Sequence, residues 1–252
     1  LGCLGRDILK LPEVHPLRPQ DFVSYELWIE KKDPFKVLVG TILSQNSTDK
    51  SAFKAFKSLE EKVGVTPQAL VGAPLDRIEQ ALRVSGLYRS KAMRLKQISE
   101  ILLQSFGGDL QKILVQDMEK ARELLISMPG VGEKTADVVL LTCSNAPLFP
   151  VDTHIRRIAI RLGLANEKDT YSKISTKLMS ILPRDSYLIV HLAMIQHGRT
   201  ICKAVKPLCD RCPLSNCCEY ARAQVGEPKE SPATRRHRSS GAGKSKEGSV
   251  GN

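Results

Sequence analysis

Apolar residues along this chain recur at helical spacing, and no segment alternates convincingly as a half-buried strand would. Residues 1–20 carry Gly2, Gly5, Pro12, Pro16 and Pro19 and read as an irregular arm with one short apolar piece at 8–11. From Asp21 the pattern turns helical, with Phe22, Tyr25, Leu27 and Trp28 as packing positions. Asp33-Pro34 opens the next helix, because proline is well tolerated in a first turn. Residues 35–43 are almost entirely apolar, which predicts burial on most sides. The run stops at Ser44-Gln-Asn-Ser-Thr-Asp49, a polar joint in which Thr48 or Asp49 can cap a helix over 50–59. Further helices are predicted over 67–71, 75–84, 90–105, 117–127, 133–141, 155–162, 170–182 and 187–197, so the chain reads as all-α. Between two of them, Ser85-Gly-Leu-Tyr88 reads as the C-cap turn of an amphipathic helix.

Two of these helices meet at a joint that suggests chemistry. The apolar pattern over 121–128 stops at Pro129, and Gly130 and Gly132 permit a backbone path that most residues resist. Met128-Pro-Gly-Val-Gly132 is therefore read as the hairpin of a helix-hairpin-helix. A tight turn of this kind aims the N–H groups of Gly130, Val131 and Gly132 outward at a helix start, which holds one phosphate without reading sequence. Lys134 stands just beyond the turn. Asp152 precedes Thr153-His-Ile-Arg-Arg157, where it can cap a helix or face the same cleft as Lys134.

Charge adds a partner to this picture. Lysine and arginine total 38 against 27 aspartate and glutamate, a formal charge of +11 that favours a polyanion. With 252 residues, 42% of them hydrophobic, the chain can fill a real core. From residue 223 onward it loses apolar period and becomes a basic tail, expected to be disordered, with Arg235-Arg236-His237-Arg238 as a knot that can tether DNA or simply solubilise. No apolar window is long enough to span a bilayer and no signal-peptide pattern opens the chain, so a soluble, intracellular protein without a membrane partner is expected. Because the chain begins at a leucine, its natural N-terminus is expected to be missing.

Five of the seven cysteines crowd into residues 202–218. In a reducing compartment such clustering argues for metal ligation over disulfides. Cys202, Cys209, Cys212 and Cys218 have the spacing C-x6-C-x2-C-x5-C, which suits tetrahedral zinc and a four-iron cubane equally. Cys217 neighbours the last ligand and is read as a packed thiol. Lys203, Lys206 and Arg211 fall between the ligands, where phosphates can meet them.

Met-Pro-Gly-Val-Gly-x-Lys-Thr-Ala followed by Val-Asp-Thr-His resembles the endonuclease III family of helix-hairpin-helix DNA glycosylases, with Met128 where leucine is usual. The resemblance implies a [4Fe-4S] cluster on Cys202, Cys209, Cys212 and Cys218. It implies two lobes: a bundle over 35–145 ending in the hairpin, and a cluster lobe joining 1–34 to 146–222. Lys134 and Asp152 match the family's catalytic pair. The glutamine that probes the space left by a flipped nucleotide corresponds to Asn46, with Gln45 one residue out of register, and the leucine wedge corresponds to Leu87. The implied activity is a bifunctional DNA glycosylase and AP lyase that removes oxidised pyrimidines from double-stranded DNA and cleaves the abasic strand by β-elimination. It implies a monomer working in the prokaryotic cytoplasm or nucleoid, or in the eukaryotic nucleus. The alternatives are a mismatch, uracil or 8-oxoguanine preference, against which Lys134 and the cysteine loop argue, and a non-catalytic damage-binding protein, which the Lys134 and Asp152 pair separates from an enzyme.

Overall fold

The computed structural model describes residues 2–226. Of the expected tail, residues 223–226 close a helix, and the remainder, including the Arg235 to Arg238 knot, lies outside the described residues.

Fifteen α-helices, joined by turns and four short 3₁₀ segments, make up the described residues. They are α1 (Cys3–Leu9), α2 (Leu11–Val14), α3 (Val23–Lys31), α4 (Pro34–Ser44), α5 (Asp49–Lys62), α6 (Pro67–Gly72), α7 (Leu75–Leu82) and α8 (Tyr88–Phe106), then α9 (Gln111–Leu114), α10 (Met118–Ile126), α11 (Glu133–Ser144), α12 (Thr153–Arg161), α13 (Tyr171–Ile181), α14 (Tyr187–Thr200) and α15 (Glu219–Gly226). No single helix is long and apolar enough to cross a membrane.

The helix starts follow from side-chain caps that offset unpaired N–H groups. Asp33 accepts from Phe35 N at 2.9 Å ahead of Pro34, and Thr48, rather than Asp49, caps α5 through Ser51 N at 3.2 Å. Two expectations change. The N-terminal arm is largely helical, because Ile8 and Leu11 are fully buried against a core and α1 and α2 form around them. Ser85-Gly-Leu-Tyr88 is the start of α8 as well as the end of a helix: Leu87 occupies its N-cap position in the left-handed region, φ 57°.

Two apolar cores give the molecule its two lobes. The first gathers α3 to α11 around residues such as Leu38, Ile42, Phe56, Leu95 and Val139. The second gathers α1, α2 and α12 to α15 around Phe149, Ile155, Ile174 and Met194. The opening 34 residues are shared, since Ile8, Leu11 and Phe22 pack in the second core while Val23 and Leu27 pack in the first. Helix α11 is the common wall: Val139 and Leu140 face the first core and Leu141 the second. Its N-terminus therefore opens where the lobes meet.

A buried carboxylate fixes that wall. Asp137, 1% exposed, accepts from Arg122 Nε of α10 at 2.6 Å and from the Tyr171 hydroxyl of α13 at 2.7 Å. Burial and the adjacent Asp137 charge push the Tyr171 phenol up, so it stays a donor. Removing one partner of a buried ion pair strands the other charge, and Arg122 keeps part of its surface in water, which softens the loss. Arg122→Met is expected to lower the unfolding free energy by about 2–3 kcal/mol in urea titrations; a change below about 0.5 kcal/mol would deny the network its role.

Lys91 is buried on α8 and donates to Leu43 O near the end of α4 at 2.8 Å, where a cation meets unpaired helix carbonyls. Burial pulls its pKa down to about 8. Between about pH 8 and the ordinary lysine value the unfolded chain binds the extra proton, so stability rises with pH across that window. Wild-type unfolding free energy should show this rise relative to Lys91→Met; parallel pH profiles for the two proteins would contradict it.

Candidate active site

The lobes enclose a cleft of about 600 Å³ whose wall includes Lys134, Asp152, Asn46, Asp49, His191 and Arg199. Lys134 lies in the first turn of α11, directly past the hairpin, and is half-buried. Among the described residues it makes no hydrogen bond or ion pair. Burial drives its pKa down, Asp152 and Asp49 oppose that fall, and Arg199 reinforces it. Asp152 caps α12, accepting from Ile155 N at 2.8 Å, so its carboxylate is held rigidly on the facing wall. Both expectations for Asp152, a cap and a cleft residue, are met by one geometry.

Arg199 closes one side of the cleft. It donates to the Asp21 carbonyl at 2.9 Å, pairs with the Asp49 carboxylate and lies over the Phe22 ring at 5.3 Å. His191, on the same helix α14, also lines the cleft, and its Nδ1 is 3.1 Å from Pro150 O. Neither residue was legible as a site residue, because His191 is a lone polar position in an apolar stretch of α14 and Arg199 falls in its polar last turn, and only the packing of α14 against α12 and α11 brings them to the cleft.

The hairpin presents an open helix start. Gly130 has φ 77°, and a Cβ there would lie 2.4 Å from Arg94 Cδ, so this position requires glycine. Gly132 precedes α11 without a side-chain cap, which leaves the first N–H groups of α11 for an anion. Val131 contributes differently: its side chain is buried and its N–H is used within the turn, on Met128 O at 3.1 Å.

Three further site residues surround the hairpin. Gln45 Nε2 donates to Gly130 O and to Thr135 Oγ1, both at 3.1 Å, and ties the polar joint to the grip. Asn46 is exposed at φ 50°. Its carbonyl abuts Gly86, where a Cβ would meet Asn46 O at 2.8 Å, so Asn46 and Leu87 stand on touching loops. Leu87 is 59% exposed in a left-handed conformation that costs a non-glycine residue energy, and most of its surface stays in water.

The cysteine loop lies against the second core. Cys202, Cys209, Cys212 and Cys218 are free thiols that pack on that core, and burial with mutual like-charge repulsion pushes Cys212 up to about 11. Burial raises the Cys209 thiol as well, and thiol ligands of this kind ionise when a cationic centre binds them. Among the described residues no three His, Cys, Asp or Glu side chains converge on a single ion. Cys217 is disulfide-bonded instead of a packed thiol, which removes it from the donor set. Arg161 Nη1 approaches Cys202 Sγ at 3.3 Å and binds Lys203 O at 2.7 Å, while Nη2 binds Ala204 O at 3.0 Å. Arg157 adds bonds to Cys202 O. These two arginines, four residues apart on α12, hold the loop so that Lys203 and Lys206 face water.

Comparison with known proteins agrees with this architecture. A model of the HhH-GPD superfamily of base excision DNA repair proteins matches residues 39–184. Endonuclease III of Sulfolobus acidocaldarius is 40% identical over 213 residues, covering 84% of this chain and 93% of that protein. A solved non-covalent endonuclease III–DNA complex superposes with a TM-score of 0.74 at 32% identity, over 87% of this chain and 95% of that one. A trapped endonuclease III–DNA covalent intermediate gives 0.69 at 33%, over 80% and 93%. With its hairpin, its two all-α lobes and its identity spread over most of the length, the chain belongs to the HhH-GPD superfamily of base excision DNA repair proteins, in the endonuclease III family.

Proposed function

We propose that this DNA glycosylase and AP lyase acts on oxidised pyrimidines in duplex DNA, with Lys134 as its nucleophile and Asp152 as the group that stabilises charge at the sugar. The observation that carries the reading is the position of Lys134: an unpaired amine in a desolvated cleft, one turn from an open helix start and opposite a fixed carboxylate.

The chemistry follows from these groups. Nucleotide C1′ is inaccessible inside a stacked duplex, so the damaged nucleotide must rotate out. Amides at the start of α11 hold a phosphate, Leu87 enters the stack, and exposed Asn46 fills the vacated space while Gln45 braces the loop from behind. Ring-saturated pyrimidines stack poorly, which lowers the cost of extrusion. The neutral fraction of Lys134 then attacks C1′ and expels the base, with the Asp152 carboxylate stabilising positive character on the sugar. The resulting imine acidifies C2′, and β-elimination expels the 3′ phosphate.

Cys202, Cys209, Cys212 and Cys218 would hold a [4Fe-4S] cluster, which supplies structural rigidity to the loop when bound. Lys203 and Lys206 then meet phosphates in a salt-sensitive, sequence-independent manner. Action as a monomer, in the nucleoid or the nucleus, is part of the proposal.

A cleavage panel tests the reading. Duplexes containing thymine glycol or dihydrouracil should be nicked, and those containing uracil, 8-oxoguanine or a G:T mismatch should be cut far more slowly; uracil or G:T as the preferred substrate would overturn it. Lys134→Gln should lose nicking by at least about 10³-fold while binding an abasic duplex within a few-fold of wild type. Leu87→Gly should slow excision from a paired lesion by about tenfold, the effect of losing one to two kcal/mol of stack replacement, and leave abasic-site cleavage little changed; equal losses on both substrates would place Leu87 outside the flipping step.

A further inference from the structure

His191 has no place in the chemistry above, yet it lines the same cleft as Lys134 and Asp152. It sits in the middle of α14, 4% exposed, with the Phe149 ring packed edge-on at 5.9 Å. Its Nδ1 is 3.1 Å from Pro150 O. A carbonyl oxygen can only accept, so Nδ1 carries the hydrogen, and the neutral ring leaves its lone pair on Nε2. Among the described residues no buried side-chain nitrogen or oxygen lacks a partner, and His191 makes no other hydrogen bond. Nε2 therefore reaches open space, and the open space beside this ring is the cleft. Lys134 and Asp152 are the two charged groups that act on the ring. Burial pulls its pKa to about 4, which keeps that lone pair available throughout the neutral range.

We propose that His191 is a third catalytic group, whose Nε2 accepts the proton that Lys134 sheds as it attacks C1′. The proposal rests on the Schiff-base reading given above. As the bond from Nζ to C1′ forms, the bond from C1′ to the base breaks and its electron pair leaves with the base. The nitrogen then carries two hydrogens and a positive charge, and an amine attached to a carbon bearing oxygen is far more acidic than free lysine. One proton passes to Nε2. The freed electron pair forms the C1′ to Nζ double bond as the bond from C1′ to O4′ breaks, and O4′ takes the proton back from the imidazolium. His191 ends as it began. Asp152 already has one carboxylate oxygen engaged by Ile155 N at the start of α12. Its charge instead favours the transient imidazolium.

Two substitutions and one measurement on the unaltered protein separate this role from a structural one. Asparagine keeps a donor where Nδ1 stands and offers nothing at Nε2, whereas glutamine does the reverse. His191→Asn should bind a duplex with a tetrahydrofuran abasic analogue within about threefold of wild type and excise thymine glycol in single turnover roughly 100-fold more slowly, the usual worth of a positioned proton acceptor. His191→Gln, whose amide offers an acceptor at Nε2 but no base, should be as slow as His191→Asn; a near-wild-type rate would reduce the role of Nε2 to hydrogen bonding and overturn the proposal. A folded His191→Asn with a rate within about threefold of wild type would overturn the proposal, as would a rate loss matched by an equal loss of affinity. Nitrogen-15 NMR of histidine-labelled wild type should find Nδ1 protonated and Nε2 bare at neutral pH, and the opposite tautomer would also overturn it, whether or not the variants fold. Wild-type protein that forms no borohydride-trapped adduct would instead remove the underlying Schiff-base reading.

Discussion

An amine attacks carbon only when it is unprotonated, and a lysine loses its proton near neutral pH only where water cannot solvate its charge. The rest of the structure serves this requirement. Lys134 stands at the start of α11, a helix that contributes to both apolar cores, so the two lobes together withdraw it from water. The requirement has a counterweight: Asp152 and Asp49 would hold the proton on, and Arg199 offsets them. The cleft thus keeps a carboxylate near enough to steady a developing cation without pairing it with the nucleophile in the resting protein.

DNA contact is arranged around the same helix end. In the proposed reading the open N-terminus of α11 takes a phosphate; Gln45 ties the 44–49 joint to the hairpin, and Gly86 lets the Leu87 loop rest on Asn46. A phosphate seated there, as proposed, would set the distance from the duplex to Asn46, Leu87 and Lys134 together. The cysteine loop extends this platform. Arg157 and Arg161 clasp its backbone from α12, the helix that Asp152 caps, so the Asp152 carboxylate and the cationic loop are anchored on the same helix.

Much of this was legible in the chain, for identifiable reasons. Helix starts at Pro34 and after Thr48 follow local capping rules, and the hairpin follows from a proline and two glycines whose backbone needs are specific. Lys134 and Asp152 stood out because each adjoins such a joint. What was missed depends on packing at long range. The irregular reading of the first residues failed because four-residue and seven-residue helices have little pattern of their own and form only against the second core. His191, Arg199 and Asp137 acquire meaning from partners 41, 150 and 15 residues away, which no window of sequence displays. The choice between Gln45 and Asn46 was likewise undecidable from spacing, whereas one amide proves bonded to the hairpin and the other exposed.

The central claim is that one amine, that of Lys134, becomes covalently joined to the sugar. Peptide mapping by mass spectrometry of the protein reduced with borohydride on thymine-glycol DNA tests it most directly. The account predicts a sugar adduct on the peptide that contains Lys134, at that residue. An adduct found instead on another lysine or on the N-terminal amine would contradict it.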